Sequence, residues 1–128
     1  MSDTNELNAR PLKGQQGLGR VGRAFGFSVA GLRAAFAGEP AFRQLVLLNA
    51  VLIPLAFAFD VSRVERALLV IVPMLTLVVE LLNSAIEAAV DRISLEIHPL
   101  SKNAKDMGSA AQLLSLLVVI VTWALILF

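Results

Sequence analysis

The apolar residues of this chain recur first at helical spacing and then in three long runs. In residues 20–37, one helical stripe collects five apolar side chains: Val21, Phe25, Val29, Leu32 and Phe36. Arg20 and Arg23 lie on the opposite side of the same helix. Because a helix with one apolar and one basic face lies in the membrane interface, the pattern predicts an amphipathic surface helix over 20–37.

Each of the three apolar runs that follow is long enough to cross a bilayer as a helix. The first, 41–59, contains Pro54, which predicts a kink. The second, 67–90, is apolar in its first half and interrupted by polar residues in its second half. The third, 107–128, predicts a clean span without charged residues, with Trp123 near its end as an interface anchor.

Polar segments complete the predicted architecture. Residues 1–19 are polar and glycine-rich, which predicts a flexible tail, and 91–106 is a polar loop. The expected fold is all-α, a single membrane domain over 20–128 with one surface helix and three transmembrane helices. Six arginines and lysines precede Leu45 and three lie in loop 91–106, so the positive-inside rule predicts a cytoplasmic N-terminus and loop.

Composition narrows the classes of function. Hydrophobic residues make up 57% of the chain and the mean hydropathy is +0.76, which indicates a membrane protein. The net charge of +1 offers no large basic field, so no nucleic-acid partner is expected. The absence of cysteine and the single histidine leave oxygen ligands for any metal ion. The sequence also lacks a GxxxxGKS/T loop and the HRD and DFG elements of protein kinases.

The second predicted span carries an acidic stripe. Within an arc of about 80°, its helix presents Glu80, Asn83, Glu87 and Asp91. An ionisable group in hydrocarbon costs roughly 2.5–3.5 kcal/mol on insertion scales, so such residues indicate a function or a partner. Structural hydrogen bonding or contact with headgroups is the alternative, and we favour it for Asp91. Glu80 and Glu87 lie on the order of 10 Å apart along the helix axis, too far to bind one ion together.

Depth in the membrane separates the expected roles of these acids. Glu87, near the cytoplasmic boundary, and Glu39 offer two hard oxygen ligands of the kind that Mg²⁺ takes beside water and phosphate oxygens. Glu80 lies deeper, where a lipid headgroup could present an alcohol, and is the candidate general base. Lys105 would supply a point charge to a polyphosphate, and Asp106 could orient that lysine or a metal-bound water.

Several motifs stand in a fixed order along the chain. They are GLRAA at 31–35, EPAFRQ at 39–44, ELLNSAIEAAVDR at 80–92, Glu96 with His98, and AKDMGSAA at 104–111. From about Arg20 to the C-terminus, this ordered set resembles the small prokaryotic diacylglycerol kinase family. The resemblance implies a homotrimeric bundle in the bacterial inner membrane that uses MgATP to convert diacylglycerol to phosphatidic acid.

The resemblance also implies roles for individual residues. Glu80 matches the catalytic base, and Glu39 and Glu87 match the metal ligands. The implied ATP site consists of Arg20, Phe27, Glu39, Asn83, Glu87, Glu96, Ile97, His98, Lys105 and Asp106. The implied lipid site is bordered by Ala24, Phe25, Ser28, Val29, Arg33, Ala34, Ala35, Phe36, Ala41, Phe42, Arg43, Gln44, Leu45, Glu80 and Ser109.

Two positions depart from the family pattern. Phe27 stands where tyrosine is typical, so the ring keeps its stacking area for a nucleotide base and lacks a hydroxyl. Lys102-Asn103 replaces a pair with arginine at the second position, which moves a positive charge by one residue. The departures put a hydrogen bond at position 27 and the placement of one charge in question.

Three alternatives stay open at this point. Undecaprenol kinases share the acidic span and the Ala-Lys-Asp motif, although Asp-Met-Gly-Ser-Ala-Ala favours diacylglycerol. A small proton-coupled transporter could use a membrane-embedded Glu80 with Asn83 one turn away, but it leaves Glu39 and Lys105 unexplained. A purely structural oligomer would tolerate Glu80→Leu.

Overall fold

The computed structural model describes residues 17–93 and 95–128, which form four helices. They are α1, Leu18–Gly38; α2, Pro40–Ala56; α3, Arg63–Ile93; and α4, Pro99–Leu127. The described residues contain no strand, so the all-α prediction is confirmed. The chain divides into two compact units, one through Ala34 and one from Ala35 to Phe128. Most of the tail predicted over 1–19 lies outside the described residues.

Two helices, α3 and α4, are long and apolar enough to cross a membrane. α2 has 17 residues, about 26 Å at a rise of 1.5 Å per residue and slightly less than a hydrocarbon layer of about 30 Å. α1 and α2 qualify only when they are counted together, which gives up to three spans. The all-α membrane architecture is therefore confirmed.

Local sequence signals determine where two helices begin. Pro40 and Pro99 occupy the first turn of α2 and α4, where a missing backbone N–H leaves no hydrogen bond unmade. His98 caps α4, because its Nδ1 accepts a hydrogen bond from the backbone N–H of Leu100 at 3.1 Å. The second half of the segment expected to be a loop, 91–106, is therefore helical.

α3 is central to the second unit because both α2 and α4 pack against it. Its buried residues recur at intervals of three and four and form one stripe: Leu69, Val72, Pro73, Thr76 and Glu80. α2 contributes Phe42 and Leu45 to this core, with only 4% and 8% of their surfaces exposed. These two side chains, which the resemblance assigns to the lipid site, thus pack within the single chain.

A proline inside α3 frees one backbone carbonyl for a contact with α4. Pro73 has no N–H, so the carbonyl of Leu69, four residues earlier, lacks its intrahelical donor. The indole N–H of Trp123 donates to this oxygen at 3.2 Å. The indole also packs edge-on against Phe59, with 6.3 Å between ring centroids. Trp123, expected to anchor the chain at the interface, therefore joins α4 to α3.

A polar contact of a second kind joins α2 to α3. Nδ2 of the buried Asn49 donates to the carbonyl of Leu45 at 2.9 Å and to that of Pro73 at 3.1 Å. The hydroxyl of Thr76 donates to the same Pro73 carbonyl at 2.6 Å. Because lipid offers no hydrogen bonds, the contact from Asn49 to Pro73 ties α2 to α3 where apolar packing alone would not.

α4 approaches α3 closely at Gly108. A Cβ at this position would overlap Oδ1 of Asn83 and would lie 3.3 Å from its Cγ and 3.9 Å from its Cα. The amide of Asn83 therefore occupies the space that a side chain at 108 would need. Its Oδ1 is buried and has no hydrogen-bond partner in the described part of the chain.

Gly108→Ala should destabilise the protein by about 1–3 kcal/mol, the usual cost of overpacking, because the new methyl group must displace the Asn83 amide. Gly22→Ala is the matched control, since a Cβ there meets no atom within 4 Å. Alanine gains about 1 kcal/mol of helix propensity at both positions, so the difference between the variants isolates the overlap. Thermal unfolding midpoints in detergent measure it, and equal midpoints would contradict the expectation.

Trp123→Phe should cost about 1–3 kcal/mol, because it leaves the buried Leu69 carbonyl without a donor. Pro73→Ala restores a backbone N–H to that carbonyl, so the cost of Trp123→Phe should fall in the Pro73→Ala background. The free energies of unfolding of the two single variants, the double variant and the parent protein measure this coupling. An identical cost in both backgrounds would assign the role of Trp123 to ring packing alone.

Candidate active site

A cleft of about 450 Å³ lies where the start of α2 meets α3 and α4. Six residues predicted to act in the site line this cleft: Glu39, Ala41, Glu80, Asn83, Glu87 and Ser109. Its other walls include Leu113 and Leu116 of α4. The fold therefore brings the candidate base and both candidate metal ligands to one cavity that is partly polar and partly apolar.

Helical spacing and burial distinguish the three carboxylates of this cleft. Glu80 and Glu87 lie on one face of α3, about 10 Å apart along its axis. Glu80 is only 6% exposed, whereas Glu39 and Glu87 are half-buried. The arrangement sets a buried carboxylate beside two more accessible ones.

The Glu80 carboxylate is held by a residue that the sequence analysis missed. Nε2 of Gln112 donates to Glu80 Oε2 at 2.8 Å and to the carbonyl of Thr76 at 3.1 Å. The hydroxyl of Ser115 lies within hydrogen-bonding distance of Oε1 of the same glutamine and, at 2.9 Å, of its backbone carbonyl, and it can donate its single proton to either. Gln112 lies within 107–128, for which the hydropathy predicts a clean span. A side-chain amide at membrane depth was the signal that could have revealed it.

A second cavity of about 430 Å³ lies where the end of α3 faces the start of α4. Five residues predicted to contact ATP line it: Glu96, Ile97, His98, Lys105 and Asp106. Asp91 also lines this cavity and follows Glu87 of the first cleft by one helical turn. The two cavities are therefore adjacent along α3.

Two ion pairs organise the charges of the second cavity. Lys105 contacts Asp91 at 2.7 Å, and Lys102 contacts Asp106 at 2.6 Å. Asp106 thus pairs with Lys102, and Asp91, expected to face headgroups, pairs with Lys105. The hydrogen bond to Asp91 raises the pKa of the Lys105 ammonium, which lies ahead of the apolar run 107–128. An ammonium has three donors, and Asp91 takes one of them.

His98 lines the second cavity, and its hydrogen bond to the backbone of α4 determines which ring nitrogen accepts. Its Nδ1 accepts the hydrogen bond that caps α4 and therefore carries no proton. In the neutral ring the proton resides on Nε2, which makes that atom a donor. Any contact of His98 with a phosphate or a nucleotide would then use Nε2.

Eight other predicted residues lie on α1, in the first compact unit: Arg20, Ala24, Phe25, Phe27, Ser28, Val29, Arg33 and Ala34. Phe25 and Phe27 are 71% and 65% exposed. The Ser28 hydroxyl donates to the carbonyl of Ala24 at 2.9 Å, within its own helix. The roles of these residues in ATP or lipid binding stay predictions.

The remaining predicted lipid contacts lie between residues 35 and 45, in the second unit. Arg43 donates from Nη1 to the carbonyls of Phe36 at 2.8 Å and Ala37 at 3.1 Å. Its guanidinium thereby satisfies backbone acceptors at the end of α1. Ala35 is buried, whereas Gln44 is exposed.

The oxygen atoms of the first cleft fit a magnesium ion bound together with phosphate. The described residues contain no group of three or more acidic or histidine side chains that could hold a metal ion. Mg²⁺ does not need one, because it keeps several waters and takes one or two carboxylates plus phosphate oxygens. Glu39 and Glu87, which both line this cleft, would provide that pair.

Comparison with known proteins identifies the family. A family model described as prokaryotic diacylglycerol kinase matches residues 26–127. Diacylglycerol kinase of Pseudomonas aeruginosa is 68% identical over 121 residues, which cover 94% of this chain and 98% of that protein. Diacylglycerol kinase of Escherichia coli strain K12 is 47% identical over 112 residues, 88% and 92% of the two chains. The chain therefore belongs to the prokaryotic diacylglycerol kinase family.

Proposed function

We propose that this bacterial membrane kinase transfers the γ-phosphoryl group of MgATP to the primary hydroxyl of diacylglycerol and yields phosphatidic acid. The observation that carries the proposal is the cleft in which the buried Glu80 lies beside the more exposed Glu39 and Glu87. Its walls suit an amphipathic acceptor, because carboxylates and an amide lie beside Leu113 and Leu116. A polar headgroup and the start of its acyl chains need both kinds of surface.

Glu80 is the general base of this reaction. The acceptor hydroxyl donates to its carboxylate, and the proton passes to Glu80 as the hydroxyl oxygen bonds to the γ-phosphorus. The bond between that phosphorus and the bridging oxygen of ADP breaks, and ADP leaves. Charge neutralisation and in-line positioning carry the rest of the catalysis, as is general for phosphoryl transfer.

Glu39 and Glu87 would hold Mg²⁺ and Lys105 would contact the phosphates. Bound Mg²⁺ neutralises charge on the phosphate oxygens. Lys105 adds a fixed positive charge from the adjacent cavity, where Glu96 and His98 border the nucleotide. Phe27 offers a ring for the base. Water-soluble ATP enters on the polar side of the site and lipid on the apolar side.

The proposed enzyme works as a homotrimer at the cytoplasmic face of the inner membrane. The basic residues before Leu45 and in 91–106 support this orientation. The single chain leaves many large apolar side chains of α4 exposed: Leu113, Leu114, Leu117, Val118, Ile120 and Val121. Neighbouring copies and lipid together would cover this surface.

Glu80→Gln should lower kcat for phosphate transfer to diacylglycerol by roughly 10²- to 10⁴-fold, because an amide of equal size cannot accept the proton. The measurement is transfer of labelled phosphate from MgATP in detergent micelles, with diacylglycerol and undecaprenol in parallel. Asp60→Asn, in the exposed turn after α2, is the control and should keep its activity. Full activity of Glu80→Gln would remove Glu80 as the base, and preference for undecaprenol would change the acceptor.

Glu87→Gln should raise the Mg²⁺ concentration for half-maximal rate by about tenfold or more, the scale of affinity loss when groups that support metal ligands are removed. Asp91→Asn is the matched control from the same face of α3. Its carboxylate pairs with Lys105 and lines the other cavity, so its Mg²⁺ requirement should match the parent protein. Magnesium titration of initial rates tests both. An unchanged requirement in Glu87→Gln would contradict the ligand assignment.

A further inference from the structure

The hydrogen bond to the Glu80 carboxylate comes from the facing helix. Nε2 of Gln112, on α4, lies 2.8 Å from Glu80 Oε2, and the same nitrogen lies 3.1 Å from the carbonyl oxygen of Thr76. Thr76 precedes Glu80 by one turn of α3. Both amide hydrogens of Gln112 therefore bond to α3, one to the backbone carbonyl of Thr76 and one to the Glu80 carboxylate.

The chemistry of the neighbours determines which way this amide points. A backbone carbonyl can only accept, so the side of the Gln112 amide that faces Thr76 must be the nitrogen. On the other side, the hydroxyl of Ser115 lies against the amide oxygen and can donate to it. A rotation of the amide by 180° would bring its oxygen against the carbonyl of Thr76 and against the carboxylate. The donor is thus oriented before any substrate binds.

Gln112 is the one side-chain donor within reach of the Glu80 carboxylate among residues 17–93 and 95–128. Glu80 is 6% exposed and Thr76 is fully buried, so water competes little for this contact. Hydrogen bonds to an ionised group in such surroundings are short and directional. An amide does not titrate near neutral pH, so Gln112 orients the carboxylate without taking up the transferred proton.

We infer that Gln112 is a positioning residue for the phosphoryl transfer: anchored by Thr76 and Ser115, its amide holds one oxygen of Glu80 and leaves the other toward the acceptor hydroxyl in the cleft. The inference rests on the proposed role of Glu80 as the general base. Loss of this contact lets the carboxylate leave the geometry in which it meets the hydroxyl, and such displacement lowers the rate of the chemical step.

Gln112→Met tests the inference, because methionine keeps the length of the side chain and removes both donors. Phosphate transfer to diacylglycerol by the full chain in micelles should show a kcat about ten- to a hundredfold lower. The KM values for MgATP and diacylglycerol should change by less than about twofold, because the residue acts on the chemical step. Ser115→Ala should give a smaller loss of kcat, and Ser115→Thr, which keeps a hydroxyl, should restore it.

The Glu80→Gln background separates positioning from a structural role. A residue that acts through Glu80 has nothing left to orient there, so Gln112→Met should cause no further loss of rate. A rate that falls by the same factor in both backgrounds, together with a lower unfolding midpoint, would overturn the inference in favour of a structural role.

The single variants separate the inference from the proposed function. If Glu80→Gln is inactive and Gln112→Met keeps the parent kcat, the inference fails and the base assignment stands. If Glu80→Gln is active, the base assignment fails, and the inference fails too because it rests on that assignment.

Discussion

A polar group inside the apolar layer has to find its partner within the protein, because lipid offers none. α3 brings two such groups to α4: the Leu69 carbonyl that Pro73 leaves without a donor, and the Glu80 carboxylate. Trp123 donates a hydrogen bond to the carbonyl, and Gln112 donates one to the carboxylate. Lipid tails solvate an apolar side chain about as well as a neighbouring helix does. Apolar packing therefore specifies the alignment of the helices less strongly than these hydrogen bonds.

The alignment that satisfies these groups also assembles the site. Gly108 lies one turn before Gln112 on the same stripe of α4. Its lack of a side chain leaves room for the Asn83 amide. Ser109 and Gln112 reach the cleft because of this close approach. The contacts that hold α4 against α3 and two residues that line the candidate site therefore lie on neighbouring positions of one helix.

Membership in the diacylglycerol kinase family sets aside transport and scaffold functions. The proposed reaction then gives the acidic stripe of α3 a catalytic role. The gradient of burial along one face of α3 suits the two substrates of the proposed reaction, one soluble in lipid and one soluble in water. Glu80 lies deepest, where a lipid alcohol can reach it, whereas Glu87 and Asp91 lie progressively closer to water. One helix thus presents the proposed base, the proposed metal ligand and the partner of Lys105 in order of depth.

Hydropathy and residue spacing are local properties, so they predict the helical class, the membrane setting and the acidic face of α3 without any tertiary contact. The polar composition of 91–106 predicts a loop, whereas α4 begins within this segment at Pro99, where His98 caps the helix. The hydrogen bond from Gln112 to Glu80 and the pairing of Lys105 with Asp91 emerged only in the tertiary structure. Both cross between helices, and the rotation and register of α4 against α3 leave no periodic signal in one sequence.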